Sequence, residues 1–126
     1  MSLTAQDLVA AAKKNITEVS IPKAKTLLND AVILDVREPD EYAAGCLPGA
    51  VNIPRGVLEF KIDAHPAFKD KKEADILVYC KTGGRGALAT EALTKLGYSN
   101  AANLAGGFTA WQESGQEVVK PDERAA

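Results

Sequence analysis

The chain has 126 residues, 46% hydrophobic and 25% charged, with a formal net charge of −2. That length supports one domain with a real core, and the near-balanced charge gives no reason to expect a nucleic-acid partner. No apolar run approaches the roughly 20 residues of a membrane span. The segment Met1–Asp7 has no basic region, and Leu8–Ala12 is too short for a signal-peptide core, so a cytoplasmic protein is expected.

Thr4-Ala5-Gln6-Asp7 reads as a helix start, with Thr4 as N-cap and an acid three residues on. Leu8, Val9, Ala12 and Ile16 space like one apolar face. A short strand is expected at Glu18-Val19-Ser20, then a helix from Pro22 to about Leu28. Ala31–Val36 (AVILDV) is a continuous apolar run ending in Asp35, as in a strand buried on both faces. Pro39–Ala44 reads as a short helix stopped by Gly45. A turn at Pro48-Gly49 leads to an extended piece, Ala50–Ile53, and a helix is expected over Gly56–Ile62. Asp63–Glu73 is polar and reads as a surface loop with a helical turn near Phe68.

Ile76–Tyr79 is a second buried strand, followed by Cys80-Lys81-Thr82-Gly83-Gly84-Arg85 and a helix from Gly86 to Leu96. Gly97 is its expected C′ residue. A strand at Ala101–Leu104 and a helix at Gly107–Glu113 complete the pattern, and the tail from Lys120 is expected to fray. Strands alternate with helices, which predicts an α/β domain with a largely parallel sheet. Ligands of such sheets bind at the carboxyl ends of the strands, where Asp35 and Cys80 both lie. The chain divides into a lead-in (1–19), the main domain (20–119) and a tail (120–126).

The six residues from Cys80 to Arg85 carry the chemistry. A cysteine between a strand and a helix faces converging backbone N–H groups and the positive end of a helix dipole. That field favours thiolate over thiol. Lys81 and Arg85 add positive charge. Gly83 and Gly84 can adopt positive φ and leave their amides uncovered, so the loop can cup an anion. An inert buried cysteine is the alternative, but it needs no such neighbours. The only histidine, His65, lies in the polar Asp63–Pro66 stretch and reads as a solvated surface residue, not a base for Cys80. A nucleophile without a base suits sulfur transfer onto a thiolate. The product is a persulfide, whose charge the loop amides would hold as an oxyanion hole holds O⁻. Two cysteines and one histidine are too few for a disulfide scaffold or a four-ligand zinc site. No metal or organic cofactor is implied.

Three signatures in order resemble the rhodanese family of sulfurtransferases. They are Ile33–Tyr42 followed by Gly45–Pro54, the cysteine loop, and Leu104–Phe108 with Trp111 and Gly115 after it. The resemblance spans about Ser20 to Val119. It implies a single rhodanese domain, with a five-stranded, mostly parallel sheet flanked by helices. It maps the catalytic cysteine to Cys80 and the persulfide-binding loop to Lys81, Thr82, Gly83, Gly84 and Arg85. It also matches Asp35 and Arg37 as supporting residues. Asp35 is expected to organise the loop by accepting hydrogen bonds, and Arg37 to brace the rim by pairing with Glu41 or Asp35. Trp111 reads as core packing.

The family usually has histidine where this chain has Cys46. A second thiol there could resolve a Cys80 persulfide by forming a disulfide, but a small semi-buried filler is the favoured reading. The six-residue loop resembles the sulfurtransferases, whereas the related phosphatases and arsenate reductases carry one residue more. Phosphatase is the runner-up enzyme reading. The two cations imply an anionic sulfane donor, thiosulfate or a low-molecular-weight persulfide, with cyanide, a thiol or a protein as acceptor. A protein-to-protein sulfur carrier and a non-catalytic binding module are the remaining alternatives.

Overall fold

The computed structural model describes residues 2–121. The tail expected to fray from Lys120 falls, beyond residue 121, outside the described residues. The elements run α1 (Ala5–Lys13), β1 (Thr17–Val19), α2 (Ile21–Leu27), β2 (Val32–Asp35), α3 (Pro39–Ala44) and β3 (Val51–Asn52). They continue with α4 (Leu58–Lys61), β4 (Asp75–Tyr79), α5 (Gly84–Lys95), β5 (Asn100–Leu104) and α6 (Gly107–Glu113). Single 3₁₀ turns at Arg55–Val57 and Ile62–Ala64 bracket α4.

The strands form one sheet in the order β1-β5-β4-β2-β3, and every neighbouring pair is parallel. The only antiparallel pairing among the described residues is an isolated bridge between Cys46 and Val119. Parallel pairing forces each connection to cross back over the sheet, so helices cover both faces. The central strands β2 and β4 therefore read as continuous apolar runs. Side chains alternate across them. Leu34, Val36, Ile76, Val78 and Cys80 pack on one face with Ala89, Leu93 and Tyr98. Ile33, Leu77 and Tyr79 pack on the other with Cys46, Leu47, Leu104 and Trp111.

Local signals set most boundaries. Thr4 and Asp7 form a reciprocal capping box on α1, which satisfies two of the amides a helix start leaves unpaired. At the far end of α5, Gly97 takes φ +97°. The amide of Tyr98 returns to Leu93 O, so the helix stops where the glycine stands.

Several expectations are corrected. α5 begins at Gly84, two residues before the expected start, which puts Gly84 and Arg85 in the helix's first turn. The expected helix at Gly56–Ile62 is a 3₁₀ turn, one turn of α-helix and a second 3₁₀ turn. Gly45 follows α3 with extended backbone (φ 162°) and is no left-handed cap. Leu8, expected on the apolar face of α1, is 48% exposed; Ala12 is the residue that α1 buries. His65 is half-buried: its Nδ1 accepts the Ala67 amide and its ring tilts against Phe68.

Asp35 is fully buried and Arg37 only 3% exposed. The two form a salt bridge of 2.7 Å. A buried charge without its partner is heavily destabilising, on the order of 3–5 kcal/mol. Asp35→Asn is therefore expected to lower unfolding free energy by about 3 kcal/mol, and Tm by roughly 10 °C. Denaturant titration checks this; a loss under about 1 kcal/mol would show that the pair is not needed.

Candidate active site

The carboxyl ends of β2 and β4 meet at the rim of the sheet, where the Val36 amide donates to Tyr79 O at 3.0 Å. Cys80 follows β4 directly, and its side chain is 1% exposed. The chain then turns back so that the Gly83 amide donates to Cys80 Sγ at 3.0 Å. Gly83 does this at φ +118°, in the left-handed half of backbone space that favours glycine. Gly84 does not share that conformation, contrary to expectation. Lys81 and Thr82 are exposed at the rim.

Three neighbours hold the loop from outside. The first turn of α6 donates the Phe108 amide to Cys80 O (2.8 Å) and the Thr109 amide to Lys81 O (2.9 Å). So close an approach leaves no room at Gly107, where a Cβ would stand 2.5 Å from Cys80 O. From β5, Asn103 Nδ2 donates to Gly83 O (3.2 Å) and to Glu18 Oε2 (2.9 Å). Asn103 Oδ1 is buried without a hydrogen-bond partner, and a Cβ at Gly86 would collide with it. From α3, Glu41 binds Arg85 through both oxygens, at 2.7 and 3.1 Å.

Of the two partners expected for Arg37, the structure selects Asp35, and Glu41 goes to Arg85. Arg37 pairs with Asp35 alone. Its Nη2 also donates to Gly45 O at 2.6 Å, and its guanidinium lies 4.2 Å from the centre of the Phe108 ring. Burial opposes its charge, but the hydrogen bonds and charge of Asp35 outweigh it and raise its pKa. Asp35 also accepts from the Arg37 amide (2.8 Å) and from Tyr79 OH (2.7 Å). Burial, then the Asp35 charge, drive the Tyr79 pKa upward, so its hydroxyl stays protonated while it accepts the Leu47 amide. Asp35 accepts hydrogen bonds from Arg37 and Tyr79, and its carboxylate bonds no residue of the cysteine loop among the described residues. Glu41 belongs instead to Arg85, and that bidentate bond, the largest cause, pulls the Glu41 pKa to about 2.

The structure gathers Cys80–Arg85 into one unit. Asp35 and Arg37 sit behind it and not in contact with the sulfur. Cys46, 0% exposed, lies in the core cluster on the face of the sheet opposite the Cys80 side chain. Neither cysteine is in a disulfide. Trp111 is core, its Nε1 bound to Glu117 O at 2.7 Å. A cleft of about 310 Å³ opens beside Lys81, lined also by Arg37, Glu41, Thr109 and Gln112. Among the described residues no group of His, Cys, Asp and Glu could hold a metal ion, and no helix is long and apolar enough to cross a membrane. Glu41 and Asn103 were the residues that sequence reasoning did not assign to the loop. Their partners are 44 and 20 positions away, so no local pattern signals them.

The family model for the rhodanese-like domain matches residues 20–114. The chain belongs to the rhodanese family. It is a rhodanese-type sulfurtransferase. The human thiosulfate:glutathione sulfurtransferase is 41% identical over 106 residues, which cover 75% of this chain and 92% of that one. The structure of a human single-domain sulfurtransferase superposes with a TM-score of 0.69 at 38% identity, covering 76% of this chain and 95% of that one. A Rhodopseudomonas palustris protein of unknown function, described as a possible tyrosine phosphatase, reaches a TM-score of 0.83 at 31% identity. It covers 94% of this chain and 96% of its own. The rhodanese loop here has six residues, Cys80 to Arg85, with its arginine already paired to Glu41.

The Glu41–Arg85 pair has a pH signature. The folded pKa of Glu41, about 2, lies below its ordinary 4.5. The stability it contributes is present above about pH 4.5 and is lost as pH falls through about 2. Glu41→Gln is expected to flatten the acid limb of a stability–pH curve over that interval. A limb identical to wild type would show that the pair contributes nothing measurable.

Proposed function

We propose that Cys80 is the catalytic nucleophile, and that it takes a sulfane sulfur from an anionic donor and carries it as a persulfide. The outer sulfur then passes to cyanide or to a thiol. The observation that carries this reading is the Gly83 amide on Cys80 Sγ, inside a six-residue loop whose carbonyls are bound elsewhere. With those carbonyls held outward, the Gly83 amide faces the sulfur. An anion at that sulfur meets a donor that is already oriented, so little reorganisation is needed when charge arrives.

Thiosulfate fits the donor side. It is small and doubly charged, and Lys81 stands exposed at the mouth of the 310 Å³ cleft. The human relative's name pairs thiosulfate with glutathione, which supports a thiol acceptor here too. The R. palustris neighbour raises phosphate-ester hydrolysis as the competing chemistry. That chemistry needs a guanidinium fork turned to the phosphate. Arg85 instead spends both its arms on Glu41.

The reaction divides into two half-reactions with sulfur stored on the enzyme, so ping-pong kinetics are expected. After thiosulfate treatment, wild-type protein should gain the mass of one sulfur atom and Cys80→Ala should gain none. Wild type with no gain would sink the persulfide mechanism. Phosphate-ester hydrolysis lost in Cys80→Ala, without sulfur transfer, would replace it by the phosphatase reading. Lys81→Ala should raise KM for thiosulfate roughly fivefold at low ionic strength, the effect of about 1 kcal/mol from an exposed charge at contact distance. The increase should shrink as salt screens the charge. A salt-independent KM equal to wild type would remove Lys81 from donor binding.

A further inference from the structure

A second cleft, of about 370 Å³, lies on the other side of the cysteine loop, between α1 and the start of α5. Its floor includes Thr82 and Gly84, the two residues that flank Gly83. Since the Gly83 amide is 3.0 Å from Cys80 Sγ, backbone geometry places Thr82 Cα within about 5.5 Å of the sulfur. Its wall is one face of α1, made by Gln6, Val9, Ala10 and Lys13. These residues recur at helical spacing and so stand side by side. They set a carboxamide, then an aliphatic patch, then an ammonium along about 10 Å of helix.

This wall is not part of the common domain. The family model begins at residue 20, and α1 ends at Lys13. The R. palustris structure matches 94% of this chain, a share that must reach into α1. The human single-domain structure matches 76%. The cysteine loop lies inside the family model, and α1 lies outside it.

We propose that the α1 cleft is the acceptor subsite, and that it takes a low-molecular-mass thiol ending in a carboxylate. The proposal rests on the sulfurtransferase reading above. Thiosulfate is compact and doubly charged and suits the cleft that carries the exposed Lys81. An acceptor with a longer organic body suits an aliphatic wall that ends in one cation. Gly84 lies against Val9, whose Cγ2 would be 3.6 Å from a Cβ added at the glycine. From Val9 the ammonium-bearing residue Lys13 is about 6 Å along the helix. The cleft therefore selects a thiol whose carboxylate stands several bonds from its sulfur.

The transfer step balances without an outside oxidant. The acceptor thiol loses its proton to solvent. Its thiolate attacks the outer sulfur of the Cys80 persulfide and forms a new sulfur–sulfur bond. The bond from that outer sulfur to Cys80 Sγ breaks, and its electron pair returns to Sγ as thiolate. The acceptor leaves as a persulfide anion.

The test compares acceptors. With thiosulfate as donor, KM for glutathione is measured for wild type, Lys13→Glu, Lys13→Arg and Ala10→Phe, with cyanide turnover in parallel. Leu8→Ser, on the outer side of α1, is the control for a disturbed helix. Lys13→Glu and Ala10→Phe should raise the glutathione KM about tenfold or more, and Lys13→Arg should stay near wild type. KM for thiosulfate should hold within about twofold, and Leu8→Ser should match wild type throughout. Unchanged glutathione KM in both cleft variants would overturn the proposal, as would parallel losses with glutathione and cyanide.

Calorimetric titration with S-methylglutathione needs no turnover and separates the two readings. Binding to wild type that disappears in Lys13→Glu supports the cleft. No binding to wild type overturns it. Binding by a wild type that moves no sulfur from thiosulfate would overturn the sulfurtransferase reading and leave the cleft standing.

Discussion

The first turn of α6 holds the carbonyls of Cys80 and Lys81, and the loop's geometry depends on that contact. A parallel sheet ends in a row of strand termini whose polar groups need partners. At β4, the Phe108 and Thr109 amides supply them. They are groups that a helix start leaves unpaired in any case. The contact therefore satisfies donors on one element with acceptors on the other. It requires the two backbones to touch, which only a glycine at position 107, with φ +61°, permits. With its carbonyls held outward by α6, and by Asn103 at Gly83, the loop presents the Gly83 amide to the sulfur.

The two arginines of the site show how context divides one chemistry into two roles. Arg37 is almost fully buried, between Asp35 and the ring of Phe108. Replacing such a pair by apolar residues often costs little, so its presence argues for geometry over stability. It ties the end of β2 to Gly45, while Tyr79 links Asp35 to the Leu47 amide on the same stretch. Arg85 is part-exposed and bound to Glu41. That bond fixes α3 to the first turn of α5 and removes the guanidinium from competition for substrate. Lys81 is exposed on the rim and makes no ion pair among the described residues.

The sequence made the sheet legible because its central strands are buried on both faces. Ile33-Leu34 and Ile76-Leu77-Val78 are apolar without alternation, and only parallel strands under helices on both sides need that. The capping box at Thr4 and the stop at Gly97 were local, and so readable. The start of α5 was not, because Gly83 and Gly84 look alike in sequence. Only the bond from the Gly83 amide to Cys80 Sγ distinguishes the turning glycine from the helical one. Glu41 was equally hidden. In the sequence it stands four residues from Arg37, a spacing that suggests a pair. In the fold, Asp35 meets the Arg37 side chain through three hydrogen bonds within two residues, and Glu41 is left to a partner 44 positions away. The exposed Leu8 has a similar cause. A one-sided pattern on a short helix does not say which part of the stripe its neighbour covers, and α5 covers Ala12.

In the sulfur transfer proposed for Cys80, one atom has to meet two different reactants. Cys80 is nearly inaccessible, so neither reactant can wrap around it. Each must come to the rim, where Lys81 and Thr82 are adjacent residues facing different clefts. The rim therefore separates the reactants by direction without moving the sulfur. The Lys81 side can attract a small dianion by charge, which costs little desolvation at an exposed lysine. The α1 side can hold a larger organic body by area, at about 25 cal/mol per Å² of apolar surface. Neither attraction requires the Gly83 amide on Sγ to change. In the sulfur transfer proposed for Cys80, one fixed donor would serve both half-reactions, while Lys81 and α1 would set specificity without touching the sulfur.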